Sequence, residues 1–327
     1  IGLMLIAIGS GGIKPSVASN VGDQFGQSNA YLLPRAFSWY YLGINIGSST
    51  SSLMIPWLLA WQGPAVAFGV PGLFMVLATV TFWAGRHRFV HVPPAGRSYL
   101  RDIFGPEGQR VVRRLLIIYI LVAAFWSLFD QMGSTWVLQA MNMDRVVLGY
   151  ELLPAQIQAV NPFLIIVLIP IFSYWVYPFL ERFFSVTSPR RMSIGMFLAA
   201  TPFLVTAWIE AQIQMGFSPH IGWQLLAYLL ITIAEVLLVV TCMEFSYTQA
   251  PKRMKSLVMA LFYLSISAGN LFTALVNQFI QNTDGTSKLT GPSYHLFFAA
   301  FMGCAALLFA VYMRLYREEH IIQEESD

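Results

Sequence analysis

Two residues of opposite charge lie inside apolar stretches of this sequence, where their chemistry is that of binding a charged molecule. Glu235 lies among leucines and valines in the stretch 221–250, and Lys14 follows Gly11-Gly12 in the first apolar run. A charged group at membrane depth is costly, so it marks a candidate functional site. A lysine there binds an anion, whereas a glutamate binds a cation or carries a proton according to the charge beside it. For Lys14 the alternative is a side chain that reaches the cytoplasmic interface.

Four further polar side chains in apolar stretches are candidates for a binding site or a gate: Asn45, Asp130, Asn161 and Glu244. An amide there needs partners for its donors and acceptors, which a ligand or a neighbouring helix can supply. Asn45 therefore contacts another helix or a ligand, and Asn161 caps a helix or lines a cavity. Asp130 pairs with another helix or lines the same cavity. In an ideal α-helix, Glu244 faces away from Glu235, which favours a structural or gating role for Glu244.

Three aromatic residues, Trp126, Phe262 and Tyr263, fall within the same apolar stretches. Packing in the core of a helical bundle is the commoner role for such residues. Amphipathic aromatic walls also suit a cavity that binds mixed side chains. Both interpretations are kept for these three positions.

Motifs of the common enzyme classes are missing from this sequence. It contains no HExxH, no Walker loop, no paired cysteine ligands and no GxSxG. The five histidines lie outside the middle of the apolar stretches. We therefore predict that the protein is not an enzyme and that it needs no metal or other cofactor, and nothing in the sequence indicates nucleic-acid binding.

The elements that must position these residues are membrane-spanning helices. The chain is 57% hydrophobic and 11% charged, with a mean hydropathy of +0.62, whereas a soluble domain carries roughly a quarter charged residues. Apolar runs long enough to cross a bilayer recur along the chain, which predicts an all-α membrane protein. We expect nine spans, at 1–19, 36–60, 65–85, 112–140, 154–180, 191–213, 221–247, 256–281 and 292–316.

The distribution of basic residues predicts the orientation and the domains. Most of the 19 lysines and arginines fall in alternate connecting segments and in the C-terminal tail, which places these in the cytoplasm. The longest such segment, 86–111, is expected to be a cytoplasmic linker. It separates three spans in 1–85 from six in 112–327. Two parallel six-span halves are the plan of the major facilitator superfamily, so we expect nine of twelve transmembrane helices in this chain.

The apolar stretches also carry the motifs of a known family. Residues 11–15, GGIKP, followed by GDQF at 22–25, are similar to the fourth transmembrane helix of that family. Residues 40–48, YYLGINIGS, match its FYxxINxGS signature, with Tyr40 in place of the leading Phe. Segments beginning at Phe125, Asn161 and Ala234 are similar to its seventh, eighth and tenth helices. The sequence thus resembles the proton-coupled oligopeptide transporters (POT/PTR) over essentially its whole length.

The resemblance implies uptake of di- and tripeptides coupled to inward proton movement. It implies that Lys14 holds the peptide carboxylate, or a proton-linked carboxylate that replaces it. Asn161 and Glu235 would then bind the peptide amino terminus, and Asn45 a backbone carbonyl. For proton coupling or gating, the candidates are Lys14, Asp130, Arg114 and Glu244.

Three departures from the family pattern are visible. The first-helix ExxERFxYY motif, which carries a proton-binding glutamate, does not occur in this chain, so we expect that the chain alone does not transport. Arg114 commonly faces an acidic residue on the eighth helix, but Ser173 occupies that position. Phe262 stands where many bacterial members have Trp. The short linker and the short 214–220 loop favour a compact bacterial member.

The sequence therefore predicts a proton-coupled symporter that imports di- and tripeptides by alternating access and uses the proton gradient as its energy source. The expected partners are peptides, protons and the lipid bilayer, and the expected state is a monomer in a bacterial inner membrane with its C-terminus in the cytoplasm. A related symporter of nitrate, another small anion or a modified peptide is the main alternative. A membrane sensor or scaffold that does not transport is the second.

Overall fold

The computed structural model describes residues 2–90, 98–183, 185–282 and 287–316 of this helical membrane protein. The Pro93-Pro94 turn and residues 317–327 of the predicted cytoplasmic tail lie outside the described residues. The described segments are mainly helical, which agrees with the predicted fold class.

The first three helices correspond to the first three predicted spans. They are α1 (Gly2–Asp23), α2 (Leu33–Gln62) and α3 (Pro64–Gly85). Gly63 separates α2 from α3 with a positive φ of 80°, and Pro64 begins α3. A proline in the first turn costs no helical hydrogen bond, so this Gly-Pro pair makes a sharp boundary between two long helices.

The predicted linker is partly helical, and the helix that contains the first span after it begins a few residues before the predicted span. A 3₁₀ turn at Arg86–Arg88 is followed by α4 (Ser98–Phe104) and α5 (Pro106–Phe129). We expected a span to begin at residue 112, after the basic residues, but α5 begins at Pro106. A polar first turn can extend a membrane helix beyond the lipid, which hydropathy does not detect.

The remaining segments form the six-span part of the bundle. Its elements are α6 (Thr135–Ala140), α7 (Val160–Ile171), α8 (Tyr177–Leu180), α9 (Ser188–Gln214), α10 (Gly222–Glu235), α11 (Thr241–Gln249), α12 (Lys255–Ile280) and α13 (Pro292–Leu315). A two-stranded hairpin of β1 (Val146–Val147) and β2 (Tyr150–Glu151) lies between α6 and α7. α9 packs against α10 and α13, α5 against α12, and α2 against α7.

Seven continuous helical stretches among the described residues are long and apolar enough to cross a membrane. They are Pro64–Arg88, Pro106–Ala140, Gln156–Leu180, Ser188–Gln214, Gly222–Gln249, Lys255–Ile280 and Pro292–Leu315. The two other predicted spans form α1 and α2, which have 22 and 30 residues. At about 1.5 Å per residue, both also have the length of a bilayer core.

Two of the long stretches contain a π-helical turn, at Phe172–Val176 and at Val236–Val240. A π turn holds more residues than an α turn, so it rotates the side chains that follow it. The second one lies between Glu235 and Glu244. The expectation that these two glutamates face opposite sides assumed an unbroken α-helix, and that assumption was wrong.

Two long helices, α12 and α5, approach closely at a glycine. A Cβ added to Gly269 would meet the carbonyl oxygen of Ala123 and would lie 2.8 Å from both the Ser127 nitrogen and the Trp126 Cβ. Small residues let membrane helices approach in this way.

Gly269→Ala should therefore destabilise the protein, because α12 must move away from α5. An overpacked core position costs about 1–3 kcal/mol. Thermal unfolding of the purified protein in detergent measures the effect. Gly303→Ala is the matched control, since a Cβ there meets nothing within 4 Å. Equal midpoints for the two variants would show that the close approach of α12 and α5 is not important.

Candidate functional site

The Glu235 carboxylate, at the end of α10, is buried and held by two other helices. The hydroxyl of Tyr41 in α2 donates to Oε1 at 2.5 Å, and Nδ2 of Asn161 in α7 donates to Oε2 at 2.8 Å. The same Nδ2 donates to Oγ1 of Thr232 at 3.0 Å. Only 2% of Glu235 is exposed. Two hydrogen bonds therefore fix the carboxylate at the point where α2, α7 and α10 meet.

Asn161 lies within the first turn of α7 and does not act as its cap. Its side chain is directed across the bundle to α10, where it lies beside Glu235. Asn45, one turn after Tyr41, is buried and donates from Nδ2 to the Tyr41 carbonyl oxygen at 3.0 Å. Asn45 thus braces the helical turn that carries the partner of Glu235.

Tyr41 was not among the residues singled out from the sequence. It occupies the second position of the YYLGINIGS segment, and spacing alone does not show that its hydroxyl reaches another helix. A signal was present, because a tyrosine one turn before a buried amide brings a second polar group to the same face of the helix.

Lys14 is exposed on α1, beside the buried Pro15. Within the described ranges, its ammonium has neither a hydrogen bond nor an ion pair. A Cβ added to Gly11 or Gly12 would meet nothing within 4 Å, so the turn before the lysine is also open. The Lys14 side chain does not contact Glu235, whose hydrogen-bond partners are Tyr41 and Asn161.

The three candidate aromatic residues lie in the packed part of the bundle. Trp126 is 6% exposed and packs against Phe125 and Phe129, while Phe262 is 1% exposed and contacts Tyr119 and Tyr263. Packing explains these contacts, and a role as a cavity wall stays a prediction.

Asp130 is exposed just after α5, where its Oδ2 accepts a hydrogen bond from Asn270 of α12 at 2.5 Å. This contact is the pairing with another helix that the sequence left open for Asp130. Its predicted role in proton coupling is not tested by the contact.

A second polar cluster joins the ends of α1, α11 and α12. The Tyr247 hydroxyl donates to Oδ1 of Asp23 at 2.9 Å, and the Lys255 Nζ lies 3.4 Å from the centre of the Tyr247 ring. Lys255 is only 2% exposed. Asp23 lies beyond the predicted span 1–19, and burial raises the pKa of its carboxyl, an effect that the Tyr247 hydrogen bond and the Lys255 charge oppose.

Two predicted gating residues have partners at the same end of the bundle. Glu244 lies 3.6 Å from Nη2 of Arg191 in α9. Arg114 lies over the Tyr316 ring, at 4.3 Å from its centre. Ser173, the residue that replaces the expected acid, lies in a separate cavity with Arg35 and Arg191. The arginine and the eighth-helix position therefore do not form the pair that the family pattern suggests.

The profile of the PTR2 (POT) family matches residues 1–106 and 105–294. The chain belongs to the POT family. Solute carrier family 15 member 2 of Mus musculus is 36% identical over 263 residues, which are 67% of this chain and 36% of that protein. Peptide transporter family 1 of Drosophila melanogaster is 34% identical over 256 residues, 66% of this chain and 34% of that protein. The matched segments span about a third of the length of these curated relatives.

Solved structures of POT proteins have the same fold. A crystal structure of an auto-inhibited POT family peptide transporter is 34% identical, with a TM-score of 0.77, and the match covers 99% of this chain and 78% of that one. The POT family transporter PepTSo is 35% identical, with a TM-score of 0.76, over 96% of this chain and 77% of that one. This POT chain thus has the helical-bundle fold of the major facilitator superfamily, and the proteins it matches are transporters rather than enzymes.

The described part of the POT chain contains no group of three or more His, Cys, Asp and Glu residues that could hold a metal ion. What its geometry provides is a fixed carboxylate among three helices, an ammonium on α1, and a polar cluster that joins α1 to α11 and α12 at one end of the bundle.

Proposed function

We propose that the protein is a proton-coupled symporter that imports di- and tripeptides by alternating access. The observation that supports this most is the fixed carboxylate of Glu235. Tyr41 precedes the predicted linker 86–111, while Asn161 and Glu235 follow it, so residues of both predicted halves meet at one buried anion. A substrate site between halves near the bilayer midplane is the arrangement expected for such a transporter.

A peptide zwitterion needs one cation and one anion in the protein. In our proposal, Lys14 binds the peptide carboxylate, whereas Glu235 and Asn161 bind its ammonium group. Asn45 would hold a backbone carbonyl. Recognition of the two termini leaves the peptide side chains to less specific contacts, for which we propose Trp126, Phe262 and Tyr263.

The proton gradient is the proposed source of energy, and no cofactor is required. Lys14 can release a carboxylate when that carboxylate takes up a proton, which would couple the two movements. Asp130 is proposed to take part through its contact with Asn270. Arg114 and Glu244 are proposed to act at the end where the bundle is closed.

Alternating access requires that one end of the bundle opens while the other closes. By the distribution of basic residues, the end formed by Asp23, Tyr247 and Lys255 is cytoplasmic. α1 carries Asp23 and belongs to the first predicted half, whereas α11 and α12 belong to the second. We propose that this cluster holds the cytoplasmic side closed and separates during import.

Lys255→Met should open the cytoplasmic side, because Asp23 loses a nearby cation and Tyr247 loses its cation–π contact. Loss of about 1.5–3 kcal/mol from one conformation shifts a two-state equilibrium by about 10- to 150-fold. Spin labels at Gln27 and Ser256, both exposed, report the separation of α1 and α12 by double electron–electron resonance. Longer distances are expected in the variant.

Lys288→Met is the matched control, because Lys288 is an exposed lysine in the opposite connecting segment 282–291. The labels require that Cys242 and Cys304 be replaced by alanine first, since both are free thiols. An unchanged distance distribution in Lys255→Met would contradict a closing role for the cluster.

A competition assay separates the peptide symporter from the alternatives. Because the chain alone is not expected to transport, the assay uses the chain joined to the first three helices of a POT protein. In proteoliposomes containing it, proton-driven uptake of labelled dialanine should be inhibited by unlabelled trialanine and not by nitrate. Inhibition by nitrate alone would favour the small-anion symporter. A sensor or scaffold predicts no proton-driven flux of any of these solutes.

The finer statements about organisation remain part of the proposal. We propose a monomer in the plasma membrane, a bacterial inner membrane by the sequence prediction, with its C-terminus in the cytoplasm. We also propose that residues 1–85 are the end of the N-terminal half, residues 86–111 the cytoplasmic linker, and residues 112–327 the C-terminal half with its tail. Protease accessibility of the tail in sealed vesicles tests the orientation.

A further inference from the structure

A cavity of about 560 Å³ lies within the second predicted half, away from Glu235 and Lys14. Its walls come from α6 and from the adjacent ends of α9, α12 and α13. By the predicted orientation, these are the ends on the outer side of the membrane. Because all four helices follow the linker, the cavity does not depend on contact between the two halves.

The cavity contains a carboxylate that two buried amides hold in place. Nε2 of Gln139 donates to Oε2 of Glu210 at 2.9 Å and to the carbonyl oxygen of Thr206 at 2.9 Å. Nε2 of Gln224 donates to Oε1 of Gln139 at 3.4 Å and to the Trp136 carbonyl oxygen at 2.8 Å. Gln139 is 3% exposed and Gln224 is fully buried. The chain of amides therefore fixes the orientation of Glu210 toward the cavity.

No cation of the described residues neutralises this carboxylate. Glu210 makes no ion pair with any of them, and the cavity lining includes neither lysine nor arginine. The nearby Lys288 donates to the Phe279 carbonyl oxygen and lies over the Phe279 ring. His295 in the lining is 2% exposed and is hydrogen-bonded through Nδ1 to Thr206. A partly buried carboxylate without a cation attracts one.

The remaining walls of the cavity suit a small organic molecule better than a bare ion. Leu138, Ile280 and Leu289 provide apolar surface. Tyr294 adds a ring whose hydroxyl donates to Oδ1 of Asn277 at 2.9 Å. The other lining side chains are mostly polar, among them Thr135 and Asn142, so the concave site combines a patch of apolar surface with hydrogen-bonding groups, as small-ligand sites do.

A glycine shapes one edge of the cavity. Gly291 has a positive φ of 54°, and a Cβ there would overlap the Gln214 side chain. The chain can therefore enter α13 close to the end of α9 at this edge of the cavity.

We propose that this cavity is a second binding site, specific for the primary ammonium group of a small organic amine with an apolar or aromatic substituent. Glu210 binds the ammonium, and the apolar wall holds the substituent. A ligand that also carries a carboxylate is disfavoured, because the cavity lining offers it no basic side chain. The site is thereby distinguished from a peptide site, which needs both charges.

Three related probes test the proposal on the purified protein in detergent. Tyramine carries the ammonium group. Tyrosol has a hydroxyl in place of the ammonium, and tyrosine has both the ammonium and a carboxylate. Saturation-transfer NMR should show saturable binding of tyramine at millimolar concentration, with tyrosol and tyrosine at least about tenfold weaker, since a hydrogen bond to a charged group is lost or a carboxylate is left unpaired.

Substitutions locate the site. Glu210→Gln should weaken tyramine binding by about tenfold or more, whereas Glu151→Gln, which removes an exposed carboxylate on the same side, should not change it. Glu235→Gln should not change it either, which separates this site from the proposed peptide site. Leu138→Trp replaces a side chain that is 64% exposed and should block the cavity while leaving Glu210 intact.

A thermal unfolding midpoint for each variant shows whether it is folded. If Glu210→Gln does not fold, Leu138→Trp still tests the site. Equal binding of tyramine and tyrosol, no saturable tyramine binding, or binding lost in Glu235→Gln but kept in both Glu210→Gln and Leu138→Trp would each overturn the proposal.

Discussion

Lys14→Ala should abolish proton-driven peptide uptake and leave some exchange of peptide across the membrane without a gradient. In our proposal the Lys14 ammonium binds the substrate carboxylate and couples its release to protonation. Removing it leaves peptide binding to the Glu235 side of the site while breaking the link to proton movement. Uptake of labelled dialanine with and without an imposed proton gradient, by the chain joined to the first three helices of a POT protein, measures both activities.

Lys288→Ala provides the control for this experiment. It removes an exposed lysine from a connecting segment on the opposite side of the bundle, where no coupling role is proposed. Uptake by this variant should match that of the unmodified protein. Full gradient-driven uptake by Lys14→Ala would remove Lys14 from the mechanism.

Glu235→Gln should weaken peptide binding by about 10- to 150-fold, which corresponds to about 1.5–3 kcal/mol for a hydrogen bond to a charged group. The glutamine also presents an NH₂ group where two donors, the Tyr41 hydroxyl and the Asn161 amide, now meet a carboxylate. The glutamine NH₂ group would then face one of these two donors and could not accept its hydrogen bond. Isothermal titration of trialanine into the purified protein measures the affinity.

Tyr41→Phe separates the two contributions in this site. It keeps the Glu235 charge and removes one of the two donors that hold the carboxylate, so the loss of affinity should be smaller than in Glu235→Gln. Glu151→Gln is the control for a change of charge alone. Equal trialanine affinity in Glu235→Gln and the unmodified protein would show that Glu235 has only a structural role.

The sequence predicts the helical membrane fold well, because runs of apolar residues report directly on the need to bury a helix in lipid. It also identifies Glu235 and Asn161, since polar groups in such runs need partners. The sequence does not predict that these two residues pair. Their pairing depends on how α7 crosses α10, and no local pattern encodes that crossing.

Two features of the fold could not be predicted for physical reasons. The π turn at Val236–Val240 lies in a run of leucine and valine, where nothing in the side chains distinguishes it from an α turn. The cluster of Asp23, Tyr247 and Lys255 joins residues more than 200 positions apart. In the sequence, each of these three residues looks like an ordinary polar residue at a helix end. Only the packing of α1 on α12 brings the three together.

The most direct test of the central claim is the movement of protons when a peptide is added. Proteoliposomes containing the chain joined to the first three helices of a POT protein, with an enclosed pH-sensitive dye, are mixed with trialanine without an imposed gradient. The account predicts that the interior acidifies with trialanine, that it does not with nitrate, and that Lys14→Ala shows no acidification. No peptide-dependent acidification, or acidification with nitrate alone, would contradict proton-coupled peptide import.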